Sequence, residues 1–187
     1  FGPHNGIHKS KVDFVIDGDH APITEVANPP VTEIDKKIAR IIAAEIEDGA
    51  CLQIGIGGMP NAVCSMIRES GVKDLGIHTE MIGDGILTLV ESGAVTNRRK
   101  NYLPGKMVAT FALGSARLYR FMDRNPAFEM HPADFTNDPW LAGRNDNLIA
   151  INGALQIDLL GQCGSESLGS SPYSGTGGQA DFVRAAN

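Results

Sequence analysis

The stretch Leu52–Gln53–Ile54–Gly55–Ile56–Gly57–Gly58–Met59–Pro60–Asn61–Ala62–Val63 decides the fold class. The apolar run Ala50–Ile56 reads as a buried strand and Gly55–Gly58 as a glycine turn. Ala62, Val63, Met66 and Ile67 then recur at helical spacing. Pro60 falls where a first helical position is expected, a place that tolerates its fixed φ and missing N–H. Gly71 ends that helix, and Leu75–Glu80 is the next strand.

The alternation runs outward in both directions. Upstream, Val12–Ile16 alternates and reads as a short strand, and a coil follows it to Asn28–Pro29–Pro30. Thr32 is a good N-cap with Glu33 and Asp35 in the first turn. Ile34, Ile38, Ile41, Ile42 and Ile46 predict an amphipathic helix over 33–47, stopped by Asp48–Gly49. Downstream, Gly83–Asp84–Gly85 turns into a helix Ile86–Glu91, Lys106–Leu113 is a strand, and Ala116–Arg124 is a helix. Leu148–Leu159 is strand-like, and residues 93–105 and 125–147 are the expected long loops. The fold class is therefore α/β, an open and mostly parallel sheet with flanking helices.

Composition excludes several classes of function. The 187 residues suffice for one α/β domain or a domain and a half, and 42% apolar content can fill a core. A net charge of −6 argues against a nucleic-acid partner. The basic run Arg98–Arg99–Lys100 reads as a solvated loop. Cys51, Cys64 and Cys163 have neither metal-site nor disulfide-framework spacing, and the first two read as small core residues. No apolar run reaches the roughly 18 residues of a membrane span and no signal peptide opens the chain, so a reducing cytoplasm is the expected compartment. The chain opens without Met and stops in what reads as a helix just begun, at Val183–Asn187. A piece of a longer protein is expected.

Three stretches could carry chemistry. The Gly55–Pro60 turn exposes backbone N–H groups where negative charge is favoured, as an oxyanion or phosphate cradle needs. A dinucleotide fingerprint would want glycine at position 60 and an acid at the end of the next strand, whereas Pro60 is present and Asp74 precedes that strand. A plain strand-to-helix turn is the remaining reading. In Gly76–Ile77–His78–Thr79–Glu80–Met81–Ile82–Gly83–Asp84–Gly85, Glu80 falls at the carboxyl end of a strand, where open α/β sheets place ligands. A salt bridge or helix cap is the structural alternative for Glu80, and a hydrogen-bonded core position that for His78. The third stretch is Tyr173–Ser174–Gly175–Thr176–Gly177–Gly178–Gln179–Ala180–Asp181–Phe182, a second glycine loop entering a helix. Ser167 does not make a nucleophile elbow, because Ser165 replaces the first glycine and no His and Asp partners follow.

Together, Leu52–Val63, Leu75–Ile82 and Tyr173–Phe182 resemble the acetyl-CoA hydrolase/transferase family, which includes 4-hydroxybutyrate and butyryl-CoA:acetate CoA-transferases. Asn152–Gln162 and the strand–glycine–helix around Thr110–Tyr119 agree more weakly. The resemblance covers nearly the whole chain; Gln156 and Ser165–Glu166–Ser167 depart from the pattern outside the three matched stretches. It implies a two-domain α/β enzyme with a CoA-transferase fold. Residues 1–31 would be an inter-domain segment and the start of the second domain, and 32–187 an incomplete C-terminal catalytic domain, with the N-terminal domain absent.

The resemblance also implies roles. Glu80 would be the nucleophile. Ile56, Gly57 and Gly177 would supply oxyanion N–H groups, and Gly55, Gly58, Met59, Pro60, Gly175, Gly178, Gln179 and Asp181 would line the coenzyme A and substrate site. Coenzyme A would be a substrate held transiently as a thioester, with no metal. The partners would be an acyl-CoA and a short-chain carboxylate, with no nucleic acid and no membrane, in a homo-oligomer, a dimer, of the full-length protein. The residue types suit this chemistry, since a carboxylate is already ionised near neutral pH and needs no general base. Hydrolysis with water as acceptor uses the same residues, and a non-catalytic nucleotide-binding module is the reading from another class.

Overall fold

The computed structural model describes residues 4–187, so the first three residues of the expected inter-domain segment lie outside the described residues. Helix α1 spans Glu33–Ala44 and opens on a reciprocal cap: Thr32 Oγ1 accepts from the Asp35 N–H at 3.1 Å, and the Asp35 carboxylate accepts from the Thr32 N–H at 2.8 Å. It ends three residues earlier than its apolar period predicts. There the chain tightens into i→i+3 bonds, Glu45 N–H to Ile42 O at 3.1 Å and Ile46 N–H to Ala43 O at 3.4 Å, which still bury Ile46.

Strand β1, Cys51–Ile54, is buried throughout, as a strand covered on both faces should be. Helix α2 (Gly58–Ser70) follows and ends on Gly71 in the left-handed conformation, φ +79°. The expected strand Leu75–Glu80 is divided into β2 (Gly76–Ile77) and β3 (Met81–Ile82), and Lys106–Leu113 into β4 (Met107–Ala109) and β5 (Phe111–Ala112). Helix α3 (Asp84–Glu91) lies between the two pairs, and α4 (Ala116–Met122) follows them. Both divisions fall at the same level. The N–H groups of Thr110 and Phe111 converge on Glu80 O at 2.9 and 3.1 Å, the two-on-one pairing typical of a bulge.

The segment 125–147 is structured, contrary to the expected loop. It holds β6 (Phe128–Met130), parallel to β4, then the short helices α5 (Ala133–Thr136) and α6 (Pro139–Ala142). Its signals are short: Asp138 Oδ1 accepts from the Trp140 and Leu141 N–H groups at 2.8 and 3.1 Å, and Pro139 takes the first helical position. Strand β7 (Leu148–Ile151) returns to lie parallel to β1 on the side away from β2. A parallel bridge from His78 to Val108 joins β2 to β4, giving the spatial order β7–β1–β2–β4–β6. The order reverses between β7 and β1, the position at which doubly wound sheets open a crevice beyond their strand ends.

The apolar run Leu148–Leu159 does not continue as one strand. Past Ile151 it leaves the sheet and enters two small antiparallel hairpins, β8 (Gln156–Ile157) with β9 (Cys163–Gly164) and β10 (Ser167–Leu168) with β11 (Ser171–Pro172). The expected strand Val12–Ile16 is exposed extended coil, since its alternation meets no neighbouring edge with which to pair. Leu52 and Ile54 face a main core with α1, α2 and α3, whereas Cys51 joins Ala142, Leu148 and Phe182 on the opposite face. No helix among the described residues is long and apolar enough to cross a membrane.

Helix α7 (Gln179–Ala185) packs against α6 and β7 and has one fully buried side chain, Phe182. Phe182→Ala is expected to lower unfolding stability by roughly 3–5 kcal/mol in urea titration. Val183→Ala, on the exposed side of the same helix, should stay within about 0.5 kcal/mol of the parent.

Candidate active site

Glu80 stands at the carboxyl-terminal edge of the sheet, between β2 and β3, and is partly buried. Its carbonyl is held by the Thr110 and Phe111 N–H groups, and the preceding Thr79 N–H donates to Val108 O at 3.0 Å. The main chain is thus anchored on both sides of the carboxylate-bearing residue. The carboxylate itself receives one hydrogen bond, from Asn137 Nδ2 to Oε2 at 3.1 Å, and no ion pair is formed with it among the described residues. A carboxylate only accepts, so the Asn137 amide presents its N–H side to Glu80, and its Oδ1 is buried without a partner.

The second glycine loop closes over this carboxylate. A Cβ at Gly178 would collide with Glu80 Oε2 and lie 2.6 Å from Asn137 Nδ2, so only glycine lets the loop approach this closely. Gly177 has φ +55°, and neither it, Gly175 nor Gly55 has an atom of the described chain within 4 Å of where a side chain would stand. Gln179 and Asp181 are partly buried in the first turn of α7.

The first glycine loop arrives from the end of β1. Gly57 adopts φ +122°, ψ −178°, a combination open to glycine, and forms the N-cap of α2 without a side-chain cap. A Cβ at Gly58 would lie 3.2 Å from Pro30 O and 3.4 Å from the Asp35 carboxylate, so this glycine fits beneath the α1 entry. Ile56 reaches over Gly83, and Met59 packs on the main core. Pro60 lies in the first turn of α2.

Several charged residues have structural partners. Asp84 accepts from Ser115 Oγ at 2.6 Å, the Ser115 N–H at 3.0 Å and Asn28 Nδ2 at 2.9 Å, tying the entries of α3 and α4 to the N-terminal coil. Asp74 is taken up by Arg98 Nη2 at 2.7 Å and Thr96 Oγ1 at 2.9 Å, which hold its carboxyl below the usual range. Lys100 is not solvated as its basic run suggested. It is buried, its Nζ donates to Ile77 O at 3.0 Å and Lys106 O at 2.8 Å, and desolvation lowers its pKa to about 8. His78 is a buried core residue with Nε2 2.9 Å from Thr136 O, and burial followed by the charge of Lys100 pushes it down to about 4. Cys51 and Cys64 are buried thiols raised to about 11 and 12 by desolvation. Ser167 lies on an outlying hairpin.

Sequence reasoning missed Asn137. It sits in the stretch expected to be a loop, 57 positions from Glu80, and no local pattern ties the two.

These features define a parallel α/β domain in which two glycine loops and an amide gather at the edge that carries a carboxylate. The family model of the acetyl-CoA hydrolase/transferase C-terminal domain matches residues 114–187. A succinyl-CoA:cyclohexane-1-carboxylate CoA transferase of Geobacter metallireducens is 54% identical over 97% of this chain and 41% of its own length. A butyryl-CoA:acetate CoA-transferase of Anaerostipes caccae is 44% identical over 99% of this chain and 42% of its own. The crystal structure of a 4-hydroxybutyrate CoA-transferase from Porphyromonas gingivalis superposes with a TM-score of 0.77 at 38% identity, covering 89% of this chain and 38% of that one. The chain belongs to the acetyl-CoA hydrolase/transferase family and spans about two fifths of the length of these relatives.

The buried His78 makes stability pH-dependent. Its folded pKa lies below the ordinary value of 6.5, so its contribution is fully present above pH 6.5 and is lost as the pH falls toward 4, by about 3 kcal/mol in all. Thermal unfolding followed from pH 7 to pH 4 should show this decline, and His78→Gln should make it shallower.

Proposed function

We propose that this chain carries the nucleophile of a CoA-transferase that exchanges coenzyme A between a short-chain acyl-CoA, butyryl or 4-hydroxybutyryl, and a carboxylate such as acetate. The observation that carries the reading is the Glu80 carboxylate itself. It is free of any ion pair among the described residues, aimed by Asn137, and in steric contact with a glycine loop. A carboxylate serving only as a structural partner would be engaged as Asp84 and Asp74 are.

In the proposed sequence, a Glu80 carboxylate oxygen attacks the thioester carbonyl, and the C–S bond breaks to give a mixed anhydride and CoA thiolate. The thiolate then attacks the glutamyl carbonyl, the first acyl group leaves as its carboxylate, and Glu80 becomes a CoA thioester. An acceptor carboxylate attacks that thioester, releasing CoA thiolate and forming a new anhydride. The thiolate attacks the acceptor's carbonyl, and Glu80 leaves as a free carboxylate. Protons balance throughout, because nucleophiles and leaving groups are all anions.

Each tetrahedral intermediate places negative charge on an oxygen, which backbone donors stabilise. Ile56 and Gly57, at the start of α2, and Gly177, in the loop over Glu80, are the proposed donors. Gly55, Gly58, Met59, Pro60, Gly175, Gly178, Gln179 and Asp181 would line the coenzyme and acyl path. The absence of neighbours around Gly55, Gly175 and Gly177 supports access at those points. Residues 32–187 would belong to a C-terminal catalytic domain, residues 1–31 to the segment that leads into it, and the complete polypeptide would act as a dimer. A reducing cytoplasm suits its three free cysteines.

Glu80→Ala in the complete polypeptide is expected to abolish exchange and the borohydride-sensitive enzyme–CoA thioester; exchange at the parental rate would refute the assignment. Turnover of acyl-CoA should depend on added acetate, whereas equal turnover in its absence would mark a hydrolase. Gly178→Ala is expected to lower kcat by about a hundred-fold by displacing the carboxylate it faces.

A further inference from the structure

The sheet parts at one place, and a side-chain hydroxyl stands in the opening. Strands β1 and β2 pair with Cys51 opposite Gly76 and Leu52 opposite Ile77. The Gly76 N–H donates to Ala50 O at 2.9 Å and the His78 N–H to Leu52 O at 3.1 Å. Continued by two residues, this parallel ladder would set the Glu80 N–H on Ile54 O and the Ile54 N–H on His78 O. The Thr79 side chain takes both places. Its Oγ1 accepts from the Ile54 N–H at 3.3 Å and donates to Ile54 O at 3.1 Å, with Met81 O 3.3 Å away as a second acceptor.

Thr79 is fully buried, so neither group of Ile54 has solvent as an alternative partner. On its other side the same segment stays paired, with the Thr79 N–H on Val108 O and the Thr110 and Phe111 N–H groups on Glu80 O. The segment therefore leaves β1 at Thr79 while holding to β4 and β5. Beyond this point β1 runs directly into Gly55–Gly57, and the other segment directly into Glu80.

We infer that Thr79 is a positioning residue for the transfer reaction. Its hydroxyl holds the end of β1 and the Glu80 segment at one fixed separation, so that the carboxylate and the N–H groups of the first glycine loop can meet at one thioester carbonyl. The inference rests on the reading of Glu80 as nucleophile; Thr79 itself touches no substrate. A valine has the same shape but would leave the Ile54 N–H and C=O unpaired. The two segments would then close toward each other or stay apart without a fixed spacing. Serine keeps the hydroxyl and loses only a methyl group.

The test compares Thr79→Val, Thr79→Ser and Glu80→Ala in the complete polypeptide, by steady-state kinetics and by the rate at which the borohydride-sensitive thioester forms. Thr79→Val should lower kcat by about a hundred-fold and slow thioester formation with it, leaving KM for acyl-CoA unchanged, as expected when geometry at the reacting atoms is lost and binding is not. Thr79→Ser should restore parental kcat. Parental kcat in Thr79→Val, or an equal fall in Thr79→Ser, overturns the inference. Should Thr79→Val fail to fold, Thr79→Cys takes its place: the weakly bonding thiol has the shape of serine, and a kcat equal to that of Thr79→Ser overturns the inference. Exchange surviving in Glu80→Ala removes the nucleophile and this role together, whereas an inactive Glu80→Ala beside a fully active Thr79→Val removes only the role of Thr79.

Discussion

The carbonyl of Glu80 accepts two backbone N–H groups at once, and the site depends on that pairing. An ordinary parallel ladder assigns one donor to each acceptor, so convergence of Thr110 and Phe111 interrupts both segments at the same level. The interruption turns one residue out of the repeat of a sheet that is otherwise covered on both faces. A carboxylate in the middle of such a strand would face a core and pay desolvation. At the interruption it lies at the sheet's edge, partly buried and within reach of loops from two other strands.

The loops reach it because of where the strands lie. β1 lies between β7 and β2 and ends in the first glycine loop. β7 returns beside it and sends the chain through two hairpins to the second, which α7 anchors through Phe182. Glycine has two different tasks in these loops. At Gly57 and Gly177 it permits a positive φ, whereas at Gly178 its backbone is unremarkable and its lack of a side chain makes room for Glu80.

Beneath this edge the interior contains polar groups with defined partners. Lys100 spans two carbonyls, Ile77 O and Lys106 O, that belong to or adjoin neighbouring strands, and its charge helps keep the adjacent His78 neutral. Gln53 and Asn152 exchange reciprocal amide hydrogen bonds at 3.2 and 2.8 Å where β1 and β7 end. Each satisfies groups that would otherwise destabilise a buried sheet end. Together with the Asp84 network, they support the site from beneath without placing a cation on the Glu80 carboxylate.

Local signals made much of this legible. The alternation of strands and helices, the Thr32 cap, the two glycine loops and the position of Glu80 at a strand end all rest on interactions within a few residues, where composition and spacing decide the outcome. The departures share one physical cause. Val12–Ile16 alternates like a strand yet has no edge to pair with, and Leu148–Leu159 is apolar beyond the point where its neighbour β1 ends. Lys100 looks solvated in sequence but is drawn inward by two carbonyls, one of them 23 positions away. The sequence by itself determined the fold class and the residue that carries the carboxylate. The tertiary structure alone decided that the strand breaks there, that Asn137 aims the carboxylate, and that Gly178 closes on it, because hydrogen bonds and steric contacts between distant segments leave no periodic trace in the chain.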